Sequence, residues 1–175
     1  MPLCDAGFPD LFSGLENVKD TREKGWSTNE YSRETAKAFA KSKPNANICM
    51  RMGNGLGGLD IDFDNPVAAT EARAEAIERF GRDVPLRATT GDGNRFLLLY
   101  RHGNDIRARS KVTFDGFCEE PQVIEIRPTH KEYFVVYGRQ PKGEYVWTPR
   151  ELYEVGFEGL PHLTYQDIYL SLIHI

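Results

Sequence analysis

Acidic and apolar side chains alternate in the segment GGLDIDFD, residues 57–64. Because successive side chains of a strand point to opposite faces, Asp60 and Asp62 are expected on one face, with their carboxylates about 6–7 Å apart. Two unpaired carboxylates at this distance repel each other, and Mg²⁺ or Mn²⁺, which prefer hard oxygen ligands, would relieve the repulsion. The spacing therefore indicates a metal site, and a solvent-exposed or salt-bridged strand face is the alternative.

A further acidic residue, Glu125, stands between isoleucines in the apolar segment QVIEIR, residues 122–127. In a strand its side chain shares a face with Arg127, and a glutamate buried there without a cationic partner is costly. Two interpretations stay open. Glu125 either forms a salt bridge with Arg127, or it converges with Asp60 and Asp62 on the metal ions of a phosphoryl or nucleotidyl transfer site.

A third feature is the glycine-bearing turn TGDGNR, residues 90–95. Gly91 and Gly93 allow the backbone to approach a ligand closely, and the amides of a turn can bind an anion. Arg95 adds a fixed charge that suits phosphate. The turn predicts a phosphate contact, although a simple hairpin turn has the same composition.

The elements that must position these residues begin with an irregular arm, residues 1–26, which is rich in glycine, proline and charge and is expected to lie over the body of the protein. Ser27 and Glu30 have the spacing of a capping box and predict the start of a first helix, which ends before Pro44. Alternation over residues 48–52 then predicts a short strand that leads through a glycine-rich turn into the aspartate strand.

Asn65 and Pro66 predict the start of a second helix, which ends at Gly81. One face of this helix carries apolar residues at helical spacing, namely Ala69, Ala72, Ala76, Ile77 and Phe80. Beyond Pro85 the sequence reads as strands and turns, with strand segments in ATTGDGNRFLLLYR, QVIEIR, YFVVY and EYVW. The pattern predicts an α+β or split-βαβ fold.

The composition is that of an ordinary globular domain, with 175 residues and 40% apolar content. No run of about 18 apolar residues occurs, and the N-terminus lacks the pattern of a signal peptide. We therefore expect no membrane association and an intracellular, cytoplasmic location. Cys4, Cys49 and Cys118 are odd in number and widely spaced, which argues against a disulfide framework or a zinc site and favours reduced, structural cysteines.

The formal net charge of −4 argues against a broad basic surface for nucleic acid. The charge is nevertheless uneven, because basic residues dominate residues 95–111. They are Arg95, Arg101, Arg107, Arg109 and Lys111, against Asp105 alone. This segment is either a local basic edge or a solvated loop.

Taken in order, these segments resemble the N-terminal domain of bifunctional DNA primase/polymerases, the prim-pol branch of the archaeo-eukaryotic primase superfamily. The resemblance runs from KGW at residues 24–26 through ANICMRMGNGLGGLDIDFD, TGDGNRFLLLYR and VIEIRPTHKEYFVVYG to EYVW. It implies an α+β prim-pol catalytic core with an RRM-like mixed or antiparallel sheet flanked by helices. We expect this catalytic domain at residues 27–165, with the N-terminal arm of residues 1–26 packed on the core.

The resemblance also implies roles for individual residues. Asp60 and Asp62 match the family's paired metal ligands, and Glu125 matches its third acid. The turn at residues 91–95 is similar to a motif that contacts the phosphates of the incoming nucleotide; many members have histidine where this chain has Arg95, which leaves a proton-shuttling role without its usual residue. The expected site residues are Asp60, Asp62 and Glu125 for catalysis and metal binding; Gly91, Gly93, Asn94, Arg95 and Arg127 for nucleotide binding; and Tyr145, Trp147, Arg101 and Arg107 for contacts to bases or nucleic acid.

A late family motif is similar to GRQPKGEYVW, residues 138–147. Tyr145 and Trp147 match it, and its histidine is missing. The two aromatic side chains are candidates for stacking on a base or sugar. Aromatic residues at alternate strand positions also pack in protein cores, and that interpretation stays open.

The implied activity is template-directed nucleotidyl transfer by a DNA primase and DNA polymerase, in the replication of a phage, plasmid or similar bacterial or phage-encoded element. It implies two Mg²⁺ or Mn²⁺ ions, nucleoside triphosphates as substrates, a single-stranded DNA template with its primer, and a downstream helicase domain or partner. A metal-dependent nuclease is the rival enzyme, although it normally has a lysine where Arg127 follows Glu125. A catalytically silent nucleic-acid-binding replication module is the rival outside the enzymes.

The last residues, LSLIHI at 170–175, resemble the translation of a transposon end used in sequencing libraries. We interpret them as a non-native C-terminal scar on a truncated chain. A short natural apolar tail is the alternative.

Overall fold

The described part of the chain comprises residues 2–21, 23–103, 106, 109–114 and 122–168 of a computed structural model. Arg107, Cys118 and the suspected scar lie outside these residues, so the expectations for them stay predictions. Within the described residues, Cys4 and Cys49 are free and buried, as expected of structural cysteines. The helices of this part are all too short or too polar to cross a membrane.

The described helices and strands follow one another along the chain. In order they are α1 (Pro2–Asp5), β1 (Leu11–Ser13), α2 (Arg33–Ser42), β2 (Ile48–Arg51), β3 (Leu56–Asp62), α3 (Pro66–Phe80), β4 (Leu86–Thr89), β5 (Asp92–His102), β6 (Ser110–Phe114), β7 (Gln122–Arg127), β8 (Tyr133–Tyr137), β9 (Arg139–Gln140), β10 (Gly143–Thr148), α4 (Leu152–Val155) and β11 (His162–Leu163).

A large, mostly antiparallel sheet has its strands in the order β6-β7-β3-β5-β4-β10-β9, and the short strand β11 pairs in parallel with β5. A smaller antiparallel sheet has the order β1-β2-β8. The predicted α+β fold is therefore confirmed, while its closer description as RRM-like stays a prediction. The aspartate strand β3 lies inside the large sheet, between β7 and β5.

One face of β3 packs beneath α3. Leu59 and Ile61 on this face are at most 3% exposed and belong to the same buried core as the inner side of the helix. The helix contributes small side chains to this core, namely Ala69, Ala72 and Ala76. Small side chains let a helix approach a sheet closely. The apolar side chains that alternate with the aspartates in GGLDIDFD thus face α3.

The other face of the large sheet packs against the small sheet. Met50 and Phe134 of the small sheet share a second buried core with Leu97 and Leu99 of β5. Gly58, two residues before Asp60, is part of this packing, because a Cβ there would collide with the ring of Phe134. The small sheet therefore covers part of the face on which the aspartates lie.

The second predicted helix is confirmed and the start of the first is corrected. In α3 the Asn65 side chain accepts hydrogen bonds from the backbone at the helix start, and the helix ends at Gly81, as predicted. Helix α2 begins later than predicted, because Ser32 forms the capping box with Thr35. The predicted cap at Ser27 instead lies in a turn, where the carbonyl of Gly25 accepts hydrogen bonds from two later amides.

The first 26 residues are more regular than predicted. They contain α1 and β1, and β1 is an edge strand of the small sheet paired with β2. Phe12 in β1 is completely buried. A strand of three residues gives too short an alternation to be recognised locally, and its pairing with β2 is a long-range contact. The arm is therefore built into the core.

Candidate functional site

A row of paired residues crosses the face of the large sheet that is turned away from α3. Asp60 of β3 pairs with Glu125 of β7 on one side and with Leu97 of β5 on the other. Leu97 in turn pairs with Arg87 of β4. Directly paired residues of antiparallel strands project from the same face. The register therefore brings Asp60, Glu125 and Arg87 onto one surface.

Two arginines hold the carboxylate of Glu125. Arg127 donates to Oε2 from its Nε at 2.8 Å, and Arg109 donates from its Nη2 to both oxygens at 2.9 and 2.8 Å. Burial acts to raise the pKa of Glu125, but the hydrogen bonds and charges of Arg127 and Arg109 outweigh it and lower the pKa below its usual value. The predicted salt bridge between Glu125 and Arg127 is thus present in the structure, and it helps to keep Glu125 charged beside Asp60.

The pKa of Asp60 is shifted in the opposite direction to that of Glu125. The Asp60 side chain is 16% exposed, and Arg127 reaches its Oδ2 with Nη2 at 3.2 Å. Burial raises the pKa of Asp60, and the charge of Asp62 raises it further, while Arg87 and Arg127 act in the opposite direction. A carboxylate under this repulsion gains from any further positive charge placed between it and Asp62.

Arg87 was not identified from the sequence. Its side chain is buried, Nη1 donates to the carbonyl of Val135, and the guanidinium lies 4.4 Å from the centre of the Tyr145 ring. Its buried Nε has no hydrogen-bond partner among the described residues. Burial lowers the pKa of Arg87, and Asp60 opposes that effect. A charged residue between Leu86 and Ala88 gives the same signal that singled out Glu125.

Arg95, near the start of β5, lies beside Asp62. Its Nη2 is 2.6 Å from Oδ1 of Asp64, and its Nη1 is 3.9 Å from Oδ1 of Asp62. The Arg95 side chain is 37% exposed. Arg95 therefore lies within reach of both carboxylates, and its predicted contact with phosphate stays a prediction.

The predicted phosphate turn is shorter than expected, because β5 already begins at Asp92. Gly91 is needed for packing, since a Cβ there would collide with the carbonyl of Lys142. Gly93 has open space around its Cα, and its carbonyl accepts a hydrogen bond from Arg73. Asn94 donates to the carbonyl of Asp64 at 3.3 Å. The turn is thus fixed by the hairpin, and nucleotide binding by its glycines and Asn94 stays a prediction.

A cleft of about 320 Å³ contains both aspartates. Its cationic lining consists of Lys19, Arg87, Arg109, Arg127 and Lys131, and its aromatic lining consists of Trp26, Tyr133, Phe134 and Tyr145. A smaller pocket of about 70 Å³ also contains both aspartates and adds Arg95 and Lys142 to the basic residues. The aspartates thus border two neighbouring spaces that are rich in positive charge. Lys19 and Trp26 come from the N-terminal arm and were not predicted to be site residues.

Among the other predicted contact residues, Tyr145 lines the cleft, whereas Trp147 and Arg101 are not among its lining residues. The Tyr145 hydroxyl donates to Oε1 of Gln140 at 3.3 Å. Trp147 is buried in the second core and donates to the carbonyl of Val136, which agrees with the core interpretation. Arg101 pairs with Leu56 at the other end of β3 and donates to the carbonyl of Leu160. It therefore lies away from the aspartates.

The donor set fits a divalent cation at the aspartates. Asp60 and Asp62 offer hard oxygen ligands from one strand face, the type that Mg²⁺ and Mn²⁺ prefer. The described residues contain no group of three or more His, Cys, Asp or Glu side chains arranged to hold a metal. Glu125 is next to Asp60, but its oxygens are engaged by Arg109 and Arg127. The pair Asp60 and Asp62 is thus the primary candidate for holding the cation.

Comparison with known proteins gives one result on family and one on relatives. A search of curated proteins found no match. A family model described as "Bifunctional DNA primase/polymerase, N-terminal" matches residues 4–162, which include the site and most of the N-terminal arm. This match supports a DNA primase/polymerase-type function of the nucleotidyltransferase kind. The chain therefore belongs to the family of bifunctional DNA primase/polymerase N-terminal domains.

Proposed function

We propose that this protein transfers nucleotides to a DNA primer on a single-stranded template, with two Mg²⁺ or Mn²⁺ ions held at Asp60 and Asp62. The observation that carries the proposal is the acidic face of β3, which borders the cleft between the basic residues of β4 and β7. When bound, such ions activate the attacking hydroxyl and stabilise the charge of the transferring phosphate.

The chain's own residues supply position and charge. Arg127 bridges Glu125 and Asp60, so it fixes the orientation of both carboxylates. Glu125, which its arginine partners hold in the charged form, is the candidate for the third ligand. Arg95, Lys142 and Lys19 are placed around the smaller pocket to counter the charge of a triphosphate.

The biological setting of the proposal follows the family. Substrates are nucleoside triphosphates, and the macromolecular partners are a single-stranded template, its primer and a helicase domain or protein that opens the duplex. We place the activity in the replication of a phage, plasmid or similar element.

The test is primer extension and de novo synthesis on a single-stranded template, with Mg²⁺ or Mn²⁺ and either deoxynucleotides or ribonucleotides. The double variant Asp60→Asn/Asp62→Asn should lose synthesis by at least about 10²–10³-fold, the size of losing one dominant electrostatic contact in an active site. The matched control is Glu71→Gln/Glu78→Gln, which removes the same charge from exposed positions on α3. This control should retain synthesis.

Three other outcomes would contradict the proposal. Synthesis that persists in the Asp60→Asn/Asp62→Asn protein would show that catalysis does not require the aspartates. Degradation of DNA without nucleoside triphosphates would identify a metal-dependent nuclease. The absence of synthesis together with DNA binding that weakens steeply with salt would identify a silent binding module. Of the two rivals, the silent module is favoured over the nuclease, because both Glu125 oxygens are paired with arginine.

A further inference from the structure

Two aromatic side chains line the cleft that contains the aspartates. Trp26 comes from the N-terminal arm and Tyr133 comes from β8. Their ring centres are 4.7 Å apart and their planes are inclined by 70°. Both side chains are partly exposed. We call this pair the aromatic wall.

The aromatic wall is held in place from behind. The ring of Trp26 is stacked on Phe12, with centres 6.0 Å apart and planes inclined by 12°, and Phe12 is completely buried. The backbone of Trp26 is also fixed, because the buried Arg51 donates to its carbonyl at 3.1 Å. The Trp26 indole is therefore a preorganised surface, and preorganisation reduces the entropy that a ligand must lose on binding.

The cleft around the aromatic wall combines an aromatic surface with a surplus of positive charge. Its lining includes five Lys or Arg residues and three acidic residues, Asp60, Asp62 and Glu132. Its volume of about 320 Å³ lies at the lower end of the range for small-molecule sites. This size suits one nucleotide better than a polynucleotide strand. The basic side chains suit the phosphates, and the aromatic wall suits the base.

Lys19 links the cleft to the phosphate-binding side of the site. It is exposed, and it lines both the cleft and the smaller pocket that contains Arg95. A ligand that stacks on Trp26 and extends its phosphates across the aspartates passes Lys19 on the way. The N-terminal arm thus contributes a surface for the base and a charge for the phosphates.

We propose that the aromatic wall of Trp26 and Tyr133 binds the base of the incoming nucleoside triphosphate, and that the N-terminal arm is for this reason part of the substrate site. The choice of ligand rests on the proposed function. The assignment goes beyond it by placing the base on a particular wall and by giving the arm a direct role in substrate binding.

The test measures nucleotide binding without requiring synthesis. The chain has two tryptophans, and Trp147 is 4% exposed in the core, so Trp26 is the tryptophan that a ligand in the cleft can reach. Titration of the whole protein with a deoxynucleoside triphosphate and Mg²⁺ should quench tryptophan fluorescence to saturation. Inorganic triphosphate, which has the phosphates and no base, should leave the fluorescence nearly unchanged.

Calorimetry of variants supplies the second readout. Trp26→Leu should weaken binding of the nucleotide by about 5- to 150-fold, the range for one stacked base, and leave the affinity for inorganic triphosphate unchanged. The matched control is Tyr31→Leu, because Tyr31 also stacks on Phe12, at 5.1 Å, but is not among the residues that line the cleft. It should bind the nucleotide as the parent does. Thermal unfolding of both variants checks that the fold is retained.

The outcomes separate this proposal from the proposed function. Equal nucleotide affinity in Trp26→Leu and the parent, or an equal loss for inorganic triphosphate, would overturn the aromatic wall even if primer synthesis is observed. Quenching by a single-stranded oligonucleotide and not by the nucleotide would show that the aromatic wall contacts a DNA strand, and it would also overturn the proposal. Base-dependent binding without primer synthesis would uphold the wall and refute the polymerase.

Discussion

The two faces of strand β3 perform different tasks with residues that alternate along the chain. Leu59 and Ile61 face α3 in a buried core. Asp60 and Asp62 face the cleft, where cationic side chains surround them. The apolar face contributes burial free energy, while on the acidic face burial, together with the charge of Asp62, raises the pKa of Asp60. One face thus holds the strand in position, and the other uses that position for chemistry.

This difference between the faces shows how the fold tolerates the repulsion between Asp60 and Asp62. A carboxylate with a raised pKa destabilises the folded state at neutral pH, because the folded protein disfavours the charged form. The central position of β3, paired on both sides, lets the surrounding structure offset that cost. Substitutions on the α3 face should therefore act on stability, and substitutions on the cleft face should act first on binding and synthesis.

The largest expected effect on stability is on the α3 face. Ile61→Ala should lower the free energy of unfolding by about 2–5 kcal/mol, because a fully enclosed side chain leaves a cavity. Denaturant unfolding measures the loss, and Ile61→Val should lose only about 0.5–1.5 kcal/mol. Synthesis per folded molecule should stay near that of the parent. A large loss of synthesis in a folded Ile61→Val protein would break the division between the faces.

An intermediate effect is expected at Glu125, where the cleft face does contribute to stability. Glu125→Gln should lower the free energy of unfolding at pH 7 by about 1.5–3 kcal/mol, the range for hydrogen bonds to charged groups. The pKa of Glu125 is lowered in the folded protein from its ordinary 4.5. The stabilisation is therefore complete above about pH 4.5 and is lost as the pH falls through the lower folded value.

The measurement for Glu125 is denaturant unfolding of both proteins in metal-free buffer between pH 7 and pH 3. The difference between parent and Glu125→Gln should narrow below about pH 4.5. Asp60 is present in both proteins, so most of its own titration cancels in the difference. A difference that is independent of pH, or a more stable Glu125→Gln protein at pH 7, would refute the role assigned to Arg109 and Arg127.

The smallest effect is expected where the chain passes from β3 to α3. The Asn65 side chain accepts hydrogen bonds from the amides of Val67 and Ala68 at 2.9 and 3.2 Å. Asn65→Ala should lower the free energy of unfolding by about 1 kcal/mol, whereas Asn65→Asp keeps the acceptor and should be nearly neutral. Thermal or denaturant unfolding distinguishes the two. Equal losses in both variants would show that the cap contributes little.

The features that sequence reasoning recovered are local. The alternation of GGLDIDFD predicted the two faces of β3, and the Asn65-Pro66 start and Gly81 end of α3 follow from rules of helix termini. The glutamate within QVIEIR was singled out because charge is costly in an apolar strand, and the structure pairs it with Asp60. Each of these signals lies within one element.

The features that were missed depend on contacts between distant segments. Arg87 stands between two apolar residues, as Glu125 does, but its strand has only four residues, too few for alternation to show which face the side chain joins. Lys19 and Trp26 reach the cleft only because β1 joins the small sheet, a pairing that no local pattern reveals. Trp147 matched a family motif and shares a strand face with Tyr145, yet it lies two residues further along β10, where that face is buried in the second core. Register and long-range pairing decide these placements.

The central claim is that the acidic face of β3 binds divalent metal. The most direct test is titration of Mn²⁺ into the protein, with free Mn²⁺ followed by electron paramagnetic resonance. The parent and the Glu71→Gln/Glu78→Gln control should bind Mn²⁺ at least about tenfold more tightly than Asp60→Asn/Asp62→Asn, a difference of ~1.4 kcal/mol. Equal Mn²⁺ affinity in all three proteins, each with its fold intact, would contradict the account.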